Sequence, residues 1–382
     1  MPLGLLHQVG HNANWNIESF LSERCGDGLV LSPLHQALPT IEKLAPATRA
    51  ASLFDPQFYL PNSRKRKLLS YPFFPEQASG GFQTGTFAEH SSQVAQACVD
   101  FQIDQGFRKI VVPTRFLKEM YPEYFQMQEE FSVNPFLAVA GNRPLCLSLA
   151  VKASMIRHAS WRRMLLDWIT HFHQVDELYL MYEFERDTKQ VQDADFLRET
   201  LRFFREVMGT GLQLTIGYTN TEGLLYSVIG DPNITMGAFE NTRIFSEDKF
   251  VESDGAVRGP KARIYLAGLL NWVQFEDAQR IRTLAPEIWR QVYHPTDWAE
   301  NALSQAVEPT FNQPALYKHY FLNMQAHVNE LRAMSLDERL SMLKRRVAHA
   351  QRMYQALESR LPLERHGRNG HLASWAEALE TF

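Results

Sequence analysis

The stretch Gln213 to Arg243, QLTIGYTNTEGLLYSVIGDPNITMGAFENTR, decides the fold class of this 382-residue chain. A β-rich run, Gln213–Ile216, ends in Gly217, and a compact helical segment follows at Gly223–Ile229. A second short run, Asn233–Met236, again ends in glycine. Two strands joined by one short helix form a parallel βα unit. In parallel barrels and doubly wound sheets, polar residues at the carboxyl ends of the strands line the ligand site. The stretch therefore predicts a concave site for a small molecule or a nucleotide.

Short apolar runs that end in polar, glycine or proline residues recur along most of the chain. They alternate with segments of helical period, of which Asp195–Met208 is an example with Asp195 as its predicted N-cap. Seven runs are predicted strands: Gly28–Leu31, Ala51–Phe54, Lys109–Val112, Leu145–Leu149, Leu178–Met181, Gln213–Ile216 and Asn233–Met236. The alternation favours an α/β fold, a (β/α)₈ TIM-like barrel whose eighth strand is either Arg263–Leu266 or a segment near Leu3–His7. A doubly wound sheet is the alternative architecture.

Two regions interrupt the alternation and set the predicted domain organisation. Residues 62–105 form a long insertion with a basic run, an aromatic stretch and a Gly-rich turn. Loops of this length after a strand are usually functional or act as lids. After about Pro295 the strand pattern ends and helical patterns follow. The sequence thus predicts a barrel over residues 1–295 and a helical C-terminal region over residues 296–382.

The C-terminal region is predicted to contain two helices, His319–Arg332 and Leu336–Arg360. Ser335 is the predicted N-cap of the second helix, with Glu338 in the capping-box position. An apolar stripe along this helix predicts packing against the barrel. Basic residues beside the stripe indicate a contact with a protein partner, a second copy of the chain or nucleic acid.

Composition excludes several classes of protein. The chain is 45% hydrophobic and 21% charged, as in a soluble globular protein, and it has no run of about 18 apolar residues that predicts a membrane span. Cys25, Cys98 and Cys146 are scattered and form no CxxC pair, so we expect a cytoplasmic protein without a structural metal or another cofactor. The net charge of −4 gives no overall nucleic-acid signature. The common dinucleotide, NTPase, zinc-protease and hydrolase motifs are also absent from the sequence.

The run Ser79-Gly80-Gly81-Phe82-Gln83 resembles part of a motif of the tRNA-guanine transglycosylase superfamily. In that superfamily an Asp-Ser-Gly-Gly-Phe-Gln run binds a guanine-like base. The glycines let the backbone approach a flat ligand, and the Gln amide pairs with a base edge. In this chain Ala78 takes the place of the Asp. A competing placement of the same site is Phe54-Asp55-Pro56-Gln57-Phe58, which lies directly at a predicted strand end and keeps an Asp.

The order of elements around Gly217 resembles the same superfamily over a whole unit. There, a strand ending in Gly leads through a short helix to a strand that carries the nucleophilic Asp, and a Thr-Arg pair follows. The matching segments here are Ile216-Gly217, Leu224–Ile229, Asn233–Gly237 and Thr242-Arg243. The nucleophile position falls near Met236 or Gly237, where no Asp is present, and Glu240 is the nearest carboxylate. The resemblance spans about Gly28 to Phe245, without the superfamily's zinc pattern of Cys and His. It is closer to divergent branches, such as the DNA 7-deazaguanine inserters and the transglycosylase-like partners of bacterial antiviral operons, than to housekeeping tRNA enzymes.

The resemblance implies recognition of a purine or 7-deazaguanine base and, in the catalytic form, exchange of that base in tRNA or DNA. Together with the predicted strand ends, it indicates Asp55 and Glu240 as candidate nucleophiles for attack on the sugar C1′. The candidate base-binding residues are Gln57, Ser79, Gly80, Gly81, Gln83, Glu183, Gly217 and Tyr218. The candidate contacts to the nucleic-acid backbone are Arg64, Lys65, Arg66, Lys67 and Arg243.

Five carboxylates lie at or just past predicted strand ends, independently of any family: Asp55, Glu183, Glu185, Glu222 and Glu240. In a barrel they would converge on one mouth, where clustered charges raise pKa values and suit acid–base or nucleophilic work. Two other functions remain open. One is a catalytically degenerate barrel that serves as a binding or assembly subunit of a defence or nucleic-acid-modification complex. The other is an unrelated barrel hydrolase or lyase.

Overall fold

A computed structural model describes residues 2–11, 14–59, 62–63, 67–74, 82–83, 90–250, 259 and 261–382. The strands of this part of the chain are β1 (Gly4–Gln8), β2 (Gly28–Leu31), β3 (Leu53–Phe54), β4 (Asn62–Ser63), β5 (Phe82–Gln83), β6 (Ile110–Val112), β7 (Leu145–Lys152), β8 (Val175–Glu183), β9 (Gln213–Ile216), β10 (Asn233–Gly237), β11 (Arg263–Leu266) and β12 (Asn271–Gln274).

Helices separate most of the strands and form the C-terminal region. The α-helices are α1 (Asn14–Ser22), α2 (Leu38–Glu42), α3 (Pro46–Ala50), α4 (Ser91–Gln105), α5 (Pro122–Gln128), α6 (Asn134–Ala140), α7 (Ala153–Arg157), α8 (Ala159–His171), α9 (Ala194–Gly209), α10 (Phe275–Leu284), α11 (Pro286–Val292), α12 (Asp297–Ser304), α13 (Pro314–Arg332), α14 (Leu336–Glu358) and α15 (Gly370–Glu380). A 3₁₀ segment, Thr221–Ile229, joins β9 to β10. Among the described residues, no helix is both long and apolar enough to cross a membrane.

Eight parallel strands form one sheet in the order β3-β2-β1-β10-β9-β8-β7-β6. The two ends of this sheet approach each other, because the backbone N–H of Arg108 before β6 donates to the carbonyl of Ser52 before β3 at 3.1 Å. The sheet is therefore nearly closed into a barrel. Barrel strands that are consecutive in the chain lie next to each other around it. The predicted (β/α)₈ barrel is confirmed, and all seven predicted runs are barrel strands.

The eighth strand of the barrel comes from the N-terminus. β1 pairs in register with β10, from Gly4 opposite Asn233 to Gln8 opposite Gly237, and it also pairs with β2. A Cβ atom on Gly4 would lie 1.8 Å from Asn233 Oδ1, so a larger residue would displace the buried Asn233 side chain. The other candidate, Arg263–Leu266, is β11, which pairs antiparallel with β12 outside the barrel. An apolar run of four or five residues does not indicate which strand it pairs with in the sheet. The sequence therefore could not distinguish these two segments.

The interior of the barrel is filled by side chains, as is usual for this fold. Near the amino ends of the strands, the buried carboxylate of Glu177 on β8 pairs with Arg108 at 2.6 Å and with Lys109 at 3.2 Å. Thr215 on β9 also donates to Glu177, and Asn233 on β10 donates to Thr215 at 2.9 Å. This polar group occupies the end of the barrel opposite the carboxyl ends of the strands.

The C-terminal helices pack directly on the barrel, as the apolar stripe predicts. Arg339 of α14 is buried and donates to the carbonyls of Ser227 and Gly230, at 3.2 and 2.7 Å. It also pairs with Asp231 at 2.7 Å. The predicted capping box of Ser335 and Glu338 is present at the start of α14. One continuous group of buried apolar side chains extends from the barrel into this region.

Candidate functional site

The carboxyl ends of all eight barrel strands meet at one rim, and a set of polar residues lies there. Ser32, Asp55, Thr114 and Glu183 lie at or just past the ends of β2, β3, β6 and β8, and Tyr218 and Glu240 follow β9 and β10. In barrel enzymes, active sites are built at this rim. A cleft of about 790 Å³ lies instead at the opposite face, beside Val175, Gln213 and Asp231. We therefore place the candidate site at the carboxyl-terminal rim.

Asp55 is a fully buried carboxyl group immediately after β3. Its Oδ2 accepts a hydrogen bond from the hydroxyl of Tyr59 at 2.7 Å, and its Oδ1 accepts one from the backbone N–H of Gln57 at 2.9 Å. Burial raises the pKa of Asp55 from 3.8 to about 7, although these two hydrogen bonds act in the opposite direction. Near neutral pH the carboxyl group therefore exists in both protonation states, which suits transfer or sharing of a proton with a ligand.

Two tyrosines join Asp55 to the end of β9. The hydroxyls of Tyr59 and Tyr218 lie 3.1 Å apart, and both side chains are buried. Gln57 and Tyr218 have φ angles of 60° and 54°, in the left-handed region that side chains other than glycine rarely adopt. Such strained residues cluster at functional sites when the surrounding structure holds them in place. The strain supports a functional role for this pair of loops.

Gly217 has a packing role beside this group. A Cβ atom at residue 217 would lie 2.6 Å from a ring carbon of Tyr179 on β8. The Tyr179 hydroxyl in turn donates to Gln8 Oε1 at 3.0 Å, inside the barrel. We name Asp55, Gln57, Tyr59 and Tyr218 the Asp55 group. Glycine at the end of β9 allows the Tyr179 ring to lie below this group.

Two phenylalanines cover the Asp55 group on the side of the rim. The ring centroid of Phe245 lies 5.3 Å from those of Tyr59 and Tyr218. Phe250 lies 5.4 Å from Tyr59 and 6.3 Å from Tyr218. The carboxyl group of Asp55 is thus separated from solvent by aromatic rings. Flat aromatic faces around a carboxyl group fit a planar ring that carries hydrogen-bonding edges.

Phe245 also lines an open cleft of about 410 Å³, which we name the rim cleft. The described residues that line it include five acidic and three basic side chains: Glu183, Glu185, Glu240, Glu247, Asp248, Lys118, Lys152 and Arg186. Several of these are paired, because Glu240 pairs with Lys189 and Glu247 pairs with Lys118. The backbone N–H of Glu247 donates to Glu183 Oε1 at 2.8 Å. The excess of acidic groups does not favour a phosphate chain in this cleft.

The structure brings part of the predicted base-binding set together. Gln57, Gly217 and Tyr218 lie around Asp55, whereas Glu183 lies in the rim cleft. Gln83 belongs to β5, which pairs antiparallel with β4. Ser79, Gly80 and Gly81 lie outside the described residues. Of the two placements of the base site, the structure places Asp55-Pro56-Gln57-Phe58 at the rim beside β9.

The basic residues that were predicted to contact nucleic acid do not form one surface among the described residues. Arg64, Lys65 and Arg66 lie outside the described residues. Lys67 Nζ donates to the carbonyl of His35 at 2.8 Å. Arg243 is buried, with its guanidinium carbon 4.1 Å from the centroid of the Trp272 ring. In this arrangement Arg243 faces the C-terminal region rather than the surface of the rim.

The end of β10, where the resemblance places a nucleophile, carries no carboxylate. Met236 and Gly237 are buried, and a Cβ atom on Gly237 would lie 2.1 Å from Thr242 Oγ1. Glu240, the nearest carboxylate, has a side chain that is 41% exposed and pairs with Lys189 in the rim cleft. Asp55 and Glu240 therefore lie in different environments, one enclosed and one open.

Comparison with protein-family models, curated proteins and solved structures found no match. Among the described residues, no group of three or more His, Cys, Asp or Glu is arranged to hold a metal ion. What the rim offers is a carboxyl group of raised pKa, two tyrosine hydroxyls, aromatic faces and an acidic cleft.

Four residues of the site carry no signal that marks them in the sequence pattern: Gln8, Tyr179, Phe245 and Phe250. Tyr179 lies two residues after Glu177 on β8, and alternate residues of a barrel strand point to the same side. The position of Tyr179 inside the barrel therefore follows from this spacing as soon as Glu177 is known to point inward. Phe245 and Phe250 come from the loop after β10, and a loop sequence has no period that predicts its contacts.

Proposed function

We propose that this chain is a transglycosylase-like barrel that recognises a guanine or 7-deazaguanine base at its carboxyl-terminal rim. Asp55 carries the proposal, because its carboxyl group is buried, has a pKa of about 7 and has no cationic partner among the described residues. A buried carboxyl group without a cation costs stability, so its presence at a strand end indicates a function.

The chemistry of a guanine edge matches this group. An ionised carboxylate accepts two hydrogen bonds side by side, and guanine and 7-deazaguanine each present a ring N–H and an exocyclic amino group on one edge. Tyr59, Tyr218 and Phe245 supply flat faces on which the ring can stack. Since Phe245 lines the rim cleft and also covers Asp55, displacement of this ring would open the Asp55 group to the cleft.

Base exchange is the catalytic form of this proposal. A carboxylate then attacks the sugar C1′ and the base leaves with a proton. Glu240 is the candidate nucleophile with access from the rim cleft, whereas Asp55 holds the ring N–H and amino edge of the base. The leaving base takes a proton at its glycosidic nitrogen from solvent in the open cleft, and the incoming base loses one there when it displaces the carboxylate from C1′. The acidic excess of the rim cleft favours a free base or a nucleoside there, so contacts to tRNA or DNA would come from other parts of the chain.

A second candidate function is base binding without exchange, as a subunit of a larger complex. The end of β10 favours it, because Thr242 occupies the space that a side chain at Gly237 would need. A binding subunit needs the Asp55 group but not a nucleophile. The two candidates therefore make the same prediction for binding and opposite predictions for exchange.

Calorimetry with guanine, a 7-deazaguanine and adenine tests the proposal. We expect guanine and the 7-deazaguanine to bind the wild-type chain. Asp55→Asn should lower the affinity for both roughly 10- to 100-fold, because hydrogen bonds to a charged group are lost. Asp337→Asn removes an exposed carboxylate at the start of α14, away from the rim, and is the matched control, which should bind normally. Equal binding of adenine, or unchanged guanine binding by Asp55→Asn, contradicts the proposal.

Incorporation of labelled guanine into tRNA, DNA or a nucleoside separates the two candidates. Base exchange predicts incorporation that disappears in Glu240→Gln, together with a covalent intermediate that can be trapped in the wild type. Binding of guanine without incorporation into any of these acceptors supports the binding subunit instead.

A further inference from the structure

A buried arginine lies between the loop after β10 and the C-terminal region. Arg243 is 6% exposed, and its guanidinium lies over the Trp272 ring of β12, with the Tyr320 ring of α13 5.6 Å away. Its Nε and Nη1 atoms are buried and have no hydrogen-bond partner among the described residues. Burial lowers the pKa of Arg243, which reflects the cost of placing its charge away from water.

Two further buried donors of this cluster also lack a partner. They are the indole nitrogen of Trp272 and the hydroxyl of Tyr320, whose rings lie 4.7 Å apart. Buried polar atoms in folded proteins are almost always hydrogen-bonded, so each such atom indicates an unseen partner. Here the atoms that lack partners come from three separate elements and all of them are able to donate.

Among the described residues Arg243 has no carboxylate at ion-pair distance, although the charge of Glu240 attracts it from further away. The charged groups in its surroundings form pairs, which are Arg186 with Glu222 at 2.9 Å, Lys189 with Glu240, and Arg263 with Glu364. Arg243 remains as one positive charge in excess within this part of the described chain. Bound water would satisfy the donors but would bring no charge, whereas an anion satisfies both requirements.

We infer that Arg243, Trp272 and Tyr320 form an enclosed phosphate-binding site at the seam between the barrel and the C-terminal region. Phosphate oxygens accept hydrogen bonds from guanidinium, indole N–H and hydroxyl groups, and one guanidinium can bind two oxygens of the same phosphate. The loops after the last two strands of a barrel in chain order often bind phosphate groups. In this barrel those strands are β9 and β10, and Arg243 follows β10. This site is separate from the Asp55 group and does not rest on the proposed base recognition.

Calorimetry with the full-length chain, in buffer free of phosphate and at constant ionic strength, tests this site. Inorganic phosphate and uridine monophosphate are the two probes, because they share the phosphate group and lack a guanine. We expect at least one of them to bind with a Kd of about 1 mM or tighter. Tighter binding of uridine monophosphate indicates a nucleotide ligand, and tighter binding of phosphate indicates the free anion.

Variants connect the binding to the named donors. Arg243→Gln should reduce affinity at least roughly tenfold, because charge-assisted hydrogen bonds are lost. Trp272→Phe and Tyr320→Phe keep a ring but lose one donor each, and each should weaken binding by a smaller factor. Arg205→Gln is the matched control, since Arg205 is exposed and lies over the Phe382 ring at 3.6 Å, and it should bind normally.

The inference is overturned if the wild-type chain binds neither probe in the millimolar range. It is also overturned if Arg243→Gln, with a native circular dichroism spectrum, binds as the wild type does. If Arg243→Gln does not fold, the two phenylalanine variants decide, and unchanged affinity in both contradicts the site. Guanine binding measured in the same samples is independent of all these outcomes.

Discussion

At the scale of single residues, Asp55 makes stability depend on pH. Its pKa is about 7 in the folded chain, against an ordinary value of 3.8. Between these two values the folded chain holds a proton that the unfolded chain releases. The contribution is therefore favourable below about pH 4 and is lost as the pH rises through 7.

We accordingly predict that Asp55→Asn stabilises the chain at pH 8, by on the order of 4 kcal/mol for a shift of about three pKa units. The gain should shrink to less than about 1 kcal/mol near pH 4 and towards zero below it, where the folded and the unfolded wild type are both protonated. Urea unfolding of both proteins from pH 4 to pH 8 measures it. A destabilised variant at pH 8 would mean that the Asp55 carboxylate has a favourable partner.

Buried histidines act in the opposite direction. Burial lowers the pKa of His7 and His319 to about 4 and that of His371 to about 3. The folded chain keeps these rings neutral while the unfolded chain protonates them below about 6.5. The stability that they contribute is thus full above pH 6.5 and is lost as the pH falls towards 4.

His371→Phe should reduce this sensitivity to acid. The His371 ring packs edge-on against Trp375 at 4.7 Å, which a phenylalanine ring can also do. We expect the melting temperature of the variant to fall less steeply between pH 7 and pH 5, because one proton fewer is taken up on unfolding. Thermal unfolding of both proteins at these values is the measurement, and parallel slopes would contradict the assignment.

At the scale of elements, two glycines give opposite predictions for the same substitution. Gly217→Ala places a methyl group against Tyr179 at the end of β9 and should destabilise the chain by about 1–3 kcal/mol. Gly209 ends α9, and a Cβ atom there meets nothing within 4 Å. Gly209→Ala should therefore stabilise the helix by about 0.5–1 kcal/mol. Chemical unfolding of both variants tests the pair, and equal signs would show that the close contact at Tyr179 relaxes freely.

The sequence predicted those helices and strands whose apolar and polar residues follow a regular pattern. The runs Gly28–Leu31 and Gln213–Ile216 match their strands end to end, because short apolar runs with polar ends are typical of buried parallel strands. The N-cap of α9 is Asp193, not the predicted Asp195, and its side chain accepts from the N–H of Phe196 at 2.8 Å. Both residues suit a cap, and the choice depends on where the preceding loop enters the helix.

The candidate site was predictable only in part. The rim position of Asp55 and Tyr218 follows from the strand ends. The hydrogen bond between Tyr59 and Tyr218 joins residues 159 positions apart, and no local pattern encodes such a contact. Similarly, Arg243 was a predicted contact to the nucleic-acid backbone, whereas the structure buries its side chain against Trp272.

At the scale of the whole molecule, the C-terminal helices complete the core. Leu343 and Val347 of α14 are buried, and Arg339 satisfies backbone carbonyls of the segment between β9 and β10. We predict that truncation after Ala333 gives insoluble protein, because it exposes that segment and leaves buried carbonyls without donors. Truncation after Glu380 removes the last two residues and is the control. Soluble, natively folded protein from the longer deletion would show that the barrel is independent of these helices.

The position of β1 has a consequence for biosynthesis. Among the barrel strands β1 is synthesised before the others, yet the N–H of Leu3 beside it bonds to Asp231 Oδ1, which is 228 residues later. The sheet therefore stays open on one side of β1 until β10 has been synthesised and released from the exit tunnel. During that interval the unpaired edge of β1 is exposed to chaperones and to other nascent chains. Closure of the barrel is a late, long-range event, and a slowly translated segment before β10 would prolong this exposure.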